Sequence, residues 1–267
     1  MRILVNYLYQ YYPFTTASYY EMAIKRDPKL GLFRVGEARV PCADLILNIE
    51  PCGKIISYPS AVTCYLEIDN HIHLGLDAEK YSKCDHIFIT QKHFLDRYPE
   101  NKTTWLPLAA DPTLHKLHPE EPSLYDVGFL GNNTYTRRKT LLNQIAKKYK
   151  LLESTAAPGE EYSKVLSQCK ILFNCSMDND MNMRVFESMS IGRPLVTDVV
   201  DGMTDLFKEN THYLAYKDWP KLEKNIELLL AKPMLREAIG NTAAAYIRAK
   251  HTYDHRLETI LKVCGFY

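Results

Sequence analysis

Short apolar runs alternate with stretches of helical period along the whole chain. In the first half, the runs at 2–9, 30–35, 43–50, 61–68, 86–90 and 103–106 predict strands. In the second half, those at 125–131, 149–155, 170–176, 194–199 and 212–216 do the same. Several are apolar at consecutive positions, as in Ile3-Leu4-Val5, Leu45-Ile46-Leu47 and Ile171-Leu172-Phe173. That is the pattern of a strand covered on both faces. Apolar residues recur at helical spacing over 137–148, 162–169, 182–191, 222–230 and 235–250. Strand–helix alternation of this kind predicts an α/β protein with parallel sheets and helices on both sides.

The stretch 107–123 interrupts the alternation with four prolines, Pro107, Pro112, Pro119 and Pro122. Proline removes a donor and disfavours helix in the residue before it, so this stretch reads as a linker. It divides the chain into two α/β halves, 1–118 and 119–252. The expected architecture is two Rossmann-like, doubly wound domains facing a cleft.

Composition narrows the class. The chain has 267 residues, 46% hydrophobic, with 33 basic and 32 acidic residues for a formal charge of +1. This is an ordinary globular composition, which excludes intrinsic disorder and fibrous architectures. The bulk balance advertises no polyanionic partner. No apolar run approaches the ~20 residues of a membrane span, and the first residues lack a signal-peptide core; the expectation is a cytoplasmic protein. Seven cysteines, none in a Cys-x-x-Cys pair, argue against a disulfide framework or a thiolate zinc site.

Two segments carry candidate chemistry. Asn174 to Asp198 reads as strand, polar loop, helix, glycine-bounded stop and next strand. Ligands of open α/β sheets bind at the carboxyl ends of strands, where such a loop lies. A helix starting near Asn182 and Met183 presents backbone N–H groups and a partial positive charge suited to phosphate. Arg184 adds a planar guanidinium for phosphate oxygens, and Glu187 lies one turn on, placed to accept ribose hydroxyls. The plainer alternative makes Asp180 an N-cap paired with Arg184 and Glu187 a solvated helix residue. In the second segment, a strand ends at Gly131, followed by Asn132, a polar loop and a helix start bearing Arg137 and Arg138. Glycine permits close approach of a ligand to the backbone. Arginines sit poorly at the positive end of a helix, so the pair points to an anion nearby. Neither segment is a Gly-x-Gly-x-x-Gly fingerprint or a Walker loop.

These residues support a resemblance. Asp126-Val-Gly-Phe-Leu-Gly-Asn132 with Arg137-Arg138, Ile171 to Ser176, and Asp180 to Gly192 resemble the donor-binding domain of CgeB-type (spore maturation protein) glycosyltransferases, of the GT-B group. The first half resembles them through Cys64 to Gly75, Gln91-Lys92 and Trp105 to Pro112. The resemblance covers most of 60–215. It implies a nucleotide-sugar donor, a UDP-sugar, bound by the second domain, and an acceptor at the first. It also implies that the final segment, 253–267, packs back on the first domain. Related retaining enzymes carry two glutamates eight positions apart, the second where Glu187 stands; the first falls at Asn179, beside Asp180. The ribose role therefore carries over to Glu187, and Asn179 and Asp180 fall where sugar is contacted.

Asp178-Asn-Asp180 matches the short acidic pattern that holds a metal in another transferase group. With the surrounding pattern reading GT-B, no metal and no cofactor is expected. Asp69 follows the strand 61–68, and alternation on an extended segment puts Asp69, His71 and His73 on one face. Asp69 and His71 are the candidates for the general base that deprotonates the acceptor hydroxyl. The leading expectation is metal-independent transfer of a sugar from a nucleotide-diphosphate donor to a hydroxyl acceptor, such as a glycan. Two alternatives stand beside it: a phage-type transferase acting on a hydroxylated DNA base, with Lys147, Lys148 and Lys150 at phosphates, and a non-catalytic nucleotide-sugar binder.

Overall fold

The computed structural model describes residues 1–8, 15–35, 42–69, 81–155, 157 and 159–267. The chain divides into two compact units. Unit 1 is Met1–Leu108 with Tyr253–Tyr267, and unit 2 is Ala109–Thr252.

Unit 1 carries strands β1 (Arg2–Asn6), β2 (Gly31–Arg34), β3 (Leu45–Ile49), β4 (Val62–Glu67), β5 (His86–Ile89) and β6 (Thr103–Trp105), with helix α1 (Thr16–Arg26). All pairings are parallel, in the order β2-β1-β3-β4-β5-β6. Ile3, Leu4, Val5, Leu45, Ile46 and Leu47 are fully buried, as their uninterrupted apolar runs require. At the carboxyl ends of β1 and β3, the buried Asn6 amide donates to Asn48 Oδ1 at 2.7 Å. The chain returns to this unit as its last helix (Tyr253–Val263). Tyr253 of that helix is fully buried, with ring centroids 5.1 Å from Tyr19 and 5.2 Å from Tyr20. Arg256 donates to the Pro107 and Leu108 carbonyls at 2.6 and 3.0 Å.

Unit 2 carries β7 (Tyr125–Leu130), α2 (Thr136–Lys148), β8 (Leu151–Ser154), α3 (Glu160–Ser167), β9 (Cys169–Phe173), α4 (Met183–Ile191), β10 (Leu195–Thr197), α5 (Met203–Leu206), β11 (Tyr213–Ala215), α6 (Trp219–Ala231) and α7 (Pro233–Lys250); the returning helix Tyr253–Val263 is α8. Its strands are all parallel, in the order β11-β10-β9-β7-β8. From β7 the chain first builds outward to β8, then crosses to β9 on the other side and continues to β11. Strand order therefore reverses between β7 and β9. In open α/β sheets the ligand crevice opens outside the carboxyl ends of the strands at such a point. Gly192, in the left-handed region at φ 90°, ends α4.

The division falls at 108/109, ten residues before the expected 118/119. The proline-rich stretch is not a free linker, because its backbone is tied to side chains of α3 and α4 in unit 2. His118 N donates to Ser167 Oγ at 3.0 Å, and Ser190 Oγ donates to the His115 carbonyl at 2.6 Å. Among the described residues no helix is long and apolar enough to cross a membrane.

Candidate functional site

The two loops singled out by sequence follow β7 and β9, the neighbours at which the order of unit 2 reverses. Arg184, in the first turn of α4, reaches across to both. Its Nε donates to the Leu130 carbonyl at 2.6 Å, and Nη1 donates to Asn174 Oδ1 at 2.8 Å. Asn174 is fully buried; its Nδ2 donates to Thr197 Oγ1 at 3.1 Å, and its carbonyl accepts from the Tyr216 hydroxyl at 2.9 Å. Gly131 lies against the guanidinium at φ 143°, where a Cβ would stand 1.9 Å from Arg184 Nη2. Only glycine fits there.

Arg138 clamps the same two loops from α2. Its Nε and Nη2 donate to the Cys175 carbonyl at 2.9 and 2.6 Å, and Nη1 donates to the Asn132 carbonyl. The exposed Asn132 side chain closes a local turn, accepting from Thr134 N and Oγ1 at 2.8 and 2.7 Å. The Arg138 and Arg184 guanidiniums lie 5.6 and 4.5 Å from the Phe129 ring centroid. Arg138 is 7% exposed. Burial first, and the Arg138 charge in the same direction, lower the pKa of Arg184, against the opposing pull of Tyr162, Glu187 and Asp180. Among the described residues neither guanidinium hydrogen-bonds or ion-pairs with a carboxylate. Both are held by neutral oxygens.

Arg137 is different. Its Nη1 sits 2.6 Å from Asp198 Oδ2, and Asp198 also accepts from Ser176 N and Oγ at 2.9 and 3.0 Å. The anion that the two arginines implied is thus, for Arg137, supplied by the protein itself. Arg137 and Asn179 line a cavity of 620 Å³ with Tyr135, Ser176, Asp178 and Tyr216. Asp178 and Asn179 form a turn in the left-handed region, at φ 47° and 64°, and Asn179 Oδ1 accepts from Asp201 N at 3.0 Å.

The N-cap of α4 is Asn182, which overturns the alternative that placed Asp180 there. Asp180 lies in the preceding turn, its N–H bonded to the Met177 carbonyl at 2.8 Å. Asn182 makes no capping bond, and both its side-chain polar atoms are buried without a partner. Met183 is the first helical residue. Glu187 is not a solvated residue either. It is 6% exposed, with Oε1 3.4 Å from His115 Nε2. His115, 1% exposed, accepts the Asp111 N–H on Nδ1 at 3.1 Å, which leaves its Nε2 proton to donate to Glu187. Burial lowers the His115 pKa, with Glu187 and Asp111 pulling the other way.

Sequence reasoning missed His115, Asn174, Asp198 and Tyr216 as parts of this site. Asn174 and Asp198 stand inside the motif, at strand ends, which was the available signal. His115 carried none, lying among prolines 72 positions before its partner Glu187.

In unit 1, Asp69 lies just past the carboxyl end of β4. Glu50 Oε2, beyond β3, accepts the N–H groups of Ile68 and Asp69 at 2.8 and 3.0 Å, and Thr90 Oγ1 donates to the Ile68 carbonyl at 2.8 Å. The Asp69 backbone is therefore pinned by both neighbouring strands. His71 and His73 lie outside the described residues. Among the described residues no group of three His, Cys, Asp or Glu side chains converges on a metal position.

A family model described as Glycosyl transferase-like matches residues 121–262. No curated protein sequence matches the chain. Among solved structures, the chain is similar to Anabaena Alr3699/HepE in complex with UDP and glucose, with TM-score 0.68 and 11% identity over the whole of both chains. It is similar to a glycosyltransferase from Rickettsia africae, with TM-score 0.64 and 8% identity over 100% of this chain and 99% of that one. A third likeness is to a mutant of S. aureus TarM in complex with Fondaparinux, alpha-GlcNAc-glycerol and UDP, with TM-score 0.61 and 15% identity over 82% of this chain and 55% of that one. These likenesses show the GT-B fold with Rossmann-like units.

Proposed function

The chain belongs to the glycosyl transferase-like family, and we propose that it transfers a sugar from a nucleoside diphosphate, a UDP-sugar, to a hydroxyl acceptor without a metal ion. One observation carries the donor reading. The fold brings the buried Arg138 and the part-exposed Arg184 to the same aromatic ring, Phe129, at the β7/β9 switch point, each held by neutral oxygens alone. Two like charges in such a place are costly unless an anion completes them. The first turn of α4 adds its partial positive charge, and the partnerless Asn182 amide stands ready at the same end. A diphosphate is the anion of matching charge.

Gly131 and Asn132 give that diphosphate a backbone edge to approach, with Met183 at the helix start. Glu187 accepts the ribose hydroxyls and is oriented by His115. The sugar enters the neighbouring cavity, where Arg137 and Asn179 offer donors and acceptors to its hydroxyls, with Asp180 reaching it from the turn before α4. Uridine as the base is supported by the UDP complexes of the similar structures, and the motifs of 126–192 resemble the CgeB-type branch of the family. As the diphosphate leaves, its growing charge falls on guanidiniums and helix N–H groups already in place, which makes a cation unnecessary. On the acceptor side, Asp69 and His71 serve as the general base.

A thermal-shift panel of UDP, other nucleoside diphosphates and UDP-sugars, followed by a transfer assay with the sugars that bind, tests the reading. A donor at one hundred times its dissociation constant stabilises the fold by ~2.7 kcal/mol. If no nucleotide shifts the melting temperature, the donor assignment fails. A nucleotide sugar that binds but is neither hydrolysed nor transferred leaves only a binding protein.

A further inference from the structure

Two thiols 200 positions apart in sequence meet in unit 1. Cys64, in the middle of β4, is fully buried, and its Sγ lies 3.3 Å from Sγ of Cys264. Cys264 follows the end of α8 and is part-exposed. Its N–H bonds to the Ile260 carbonyl at 2.9 Å, Gly265 N bonds to Lys262 O at 3.1 Å, and Phe266 N bonds to Leu261 O at 2.9 Å. Gly265 adopts φ 76°. The chain at Cys264 has therefore left the helix in a glycine turn, at an end where a small shift of one sulfur costs little. A disulfide needs ~2.05 Å between the sulfurs, so closure asks for ~1.2 Å of approach.

We propose that Cys64 and Cys264 form an oxidisable pair, a site at which a disulfide oxidant of the glutathione type joins β4 covalently to the end of α8. The two thiols divide the chemistry by exposure. Cys264, the accessible one, attacks oxidised glutathione as its thiolate; a Cys264–glutathione bond forms and one glutathione thiolate leaves. Cys64 then attacks the Cys264 sulfur, the second glutathione leaves as its thiolate, and that thiolate takes up the Cys64 proton. The net change is one protein dithiol and one oxidised glutathione to one protein disulfide and two reduced glutathiones. Cys64 is poorly suited to the first attack and well placed for the second. Its hydrogen bond with Cys264 and its burial both raise its pKa, so it reacts only with a sulfur delivered against it.

The consequence follows from connectivity. Unit 2 is inserted between Leu108 and Tyr253 of unit 1, and α8, the returning segment, is held by the Tyr19, Tyr20 and Arg256 contacts and by the Arg26–Asp254 ion pair at 2.7 Å. The bond adds a covalent staple that closes a loop containing all of unit 2. Closing so long a loop restricts the unfolded chain strongly.

The experiment compares the full chain after oxidised glutathione and after dithiothreitol, using alkylation with peptide mapping and thermal melting. The oxidised sample should yield a Cys64–Cys264 linked peptide. Its melting temperature should be higher by about 5–10 °C, reversed by dithiothreitol. Cys264→Ser, at a part-exposed position, keeps the reduced melting temperature and loses both signals. Cys42→Ser, at an exposed thiol, keeps both. The proposal is overturned if mapping finds Cys264 only as a glutathione adduct, finds Cys64 joined elsewhere, or finds both thiols unchanged.

Discussion

Arg184 and Gly131 occupy one space: the missing side chain of residue 131 is where the guanidinium lies, 1.9 Å from an added Cβ to Nη2 and 2.8 Å to Cζ. A strand-end glycine and a helix-start arginine 53 positions apart are therefore one feature. Gly131→Ala pushes the guanidinium off the Leu130 carbonyl and strains a backbone at φ 143°. Stability should fall by ~1–3 kcal/mol. UDP affinity should fall with it by roughly 10–100-fold, the scale of one charge-assisted phosphate contact. Calorimetry on the folded variant checks this; wild-type affinity with only a lowered melting temperature would break the link between the two residues.

His115 makes a pH-dependent contribution whose sign follows from burial. Its folded pKa is lowered, so the folded state resists a proton that the unfolded state accepts near pH 6.5. The stabilisation is present above that pH and is lost as pH falls through it. The urea midpoint should drop between pH 7 and pH 5.5, and His115→Gln, which does not titrate, should flatten the drop. An unchanged slope in the variant contradicts the assignment.

All eleven strands among the described residues overlap runs read from sequence. Fully buried parallel strands write themselves as consecutive apolar residues, as Ile3-Leu4-Val5 does. The predicted runs were longer than the strands at most ends, because the residue beyond a strand end is often still buried, as Asn174 and Asp198 are. Helix α1 had no clear reading because Tyr19, Tyr20 and Glu21 on its buried side carry polar atoms. Four-residue α5 is too short to show a period. In the site, Gly131, Arg138 and Arg184 were legible as residue types at the junction of strand and helix. Their partners were not. Arg137 meets Asp198 through the sheet order, and Glu187 meets His115 through the packing of the 109–123 stretch on α4; local pattern contains neither.

On the acceptor side, Asp69→Asn and His71→Ala should each bind UDP as the wild type does. A variant that removes the base should lose ~10²–10⁴-fold in transfer rate. Single-turnover transfer measured beside nucleotide affinity separates the two effects. Full transfer rates in both variants would remove Asp69 and His71 from the mechanism and leave the donor site intact.

If Arg138, Arg184 and the α4 N-terminus take the charge of the leaving diphosphate, transfer should proceed in EDTA at the rate found with magnesium or manganese. Release of UDP under the two conditions measures this. Loss in EDTA with recovery on adding manganese would bring Asp178 and Asp180 back as metal ligands.

On the proposed reading Arg184 holds the donor's diphosphate, and calorimetric titration of UDP into Arg184→Ala measures that one contact. Affinity should be weaker by about 10–150-fold, corresponding to ~1.5–3 kcal/mol for a charge-assisted contact, in a variant that still melts cooperatively. Unchanged UDP affinity in that folded variant would contradict that reading.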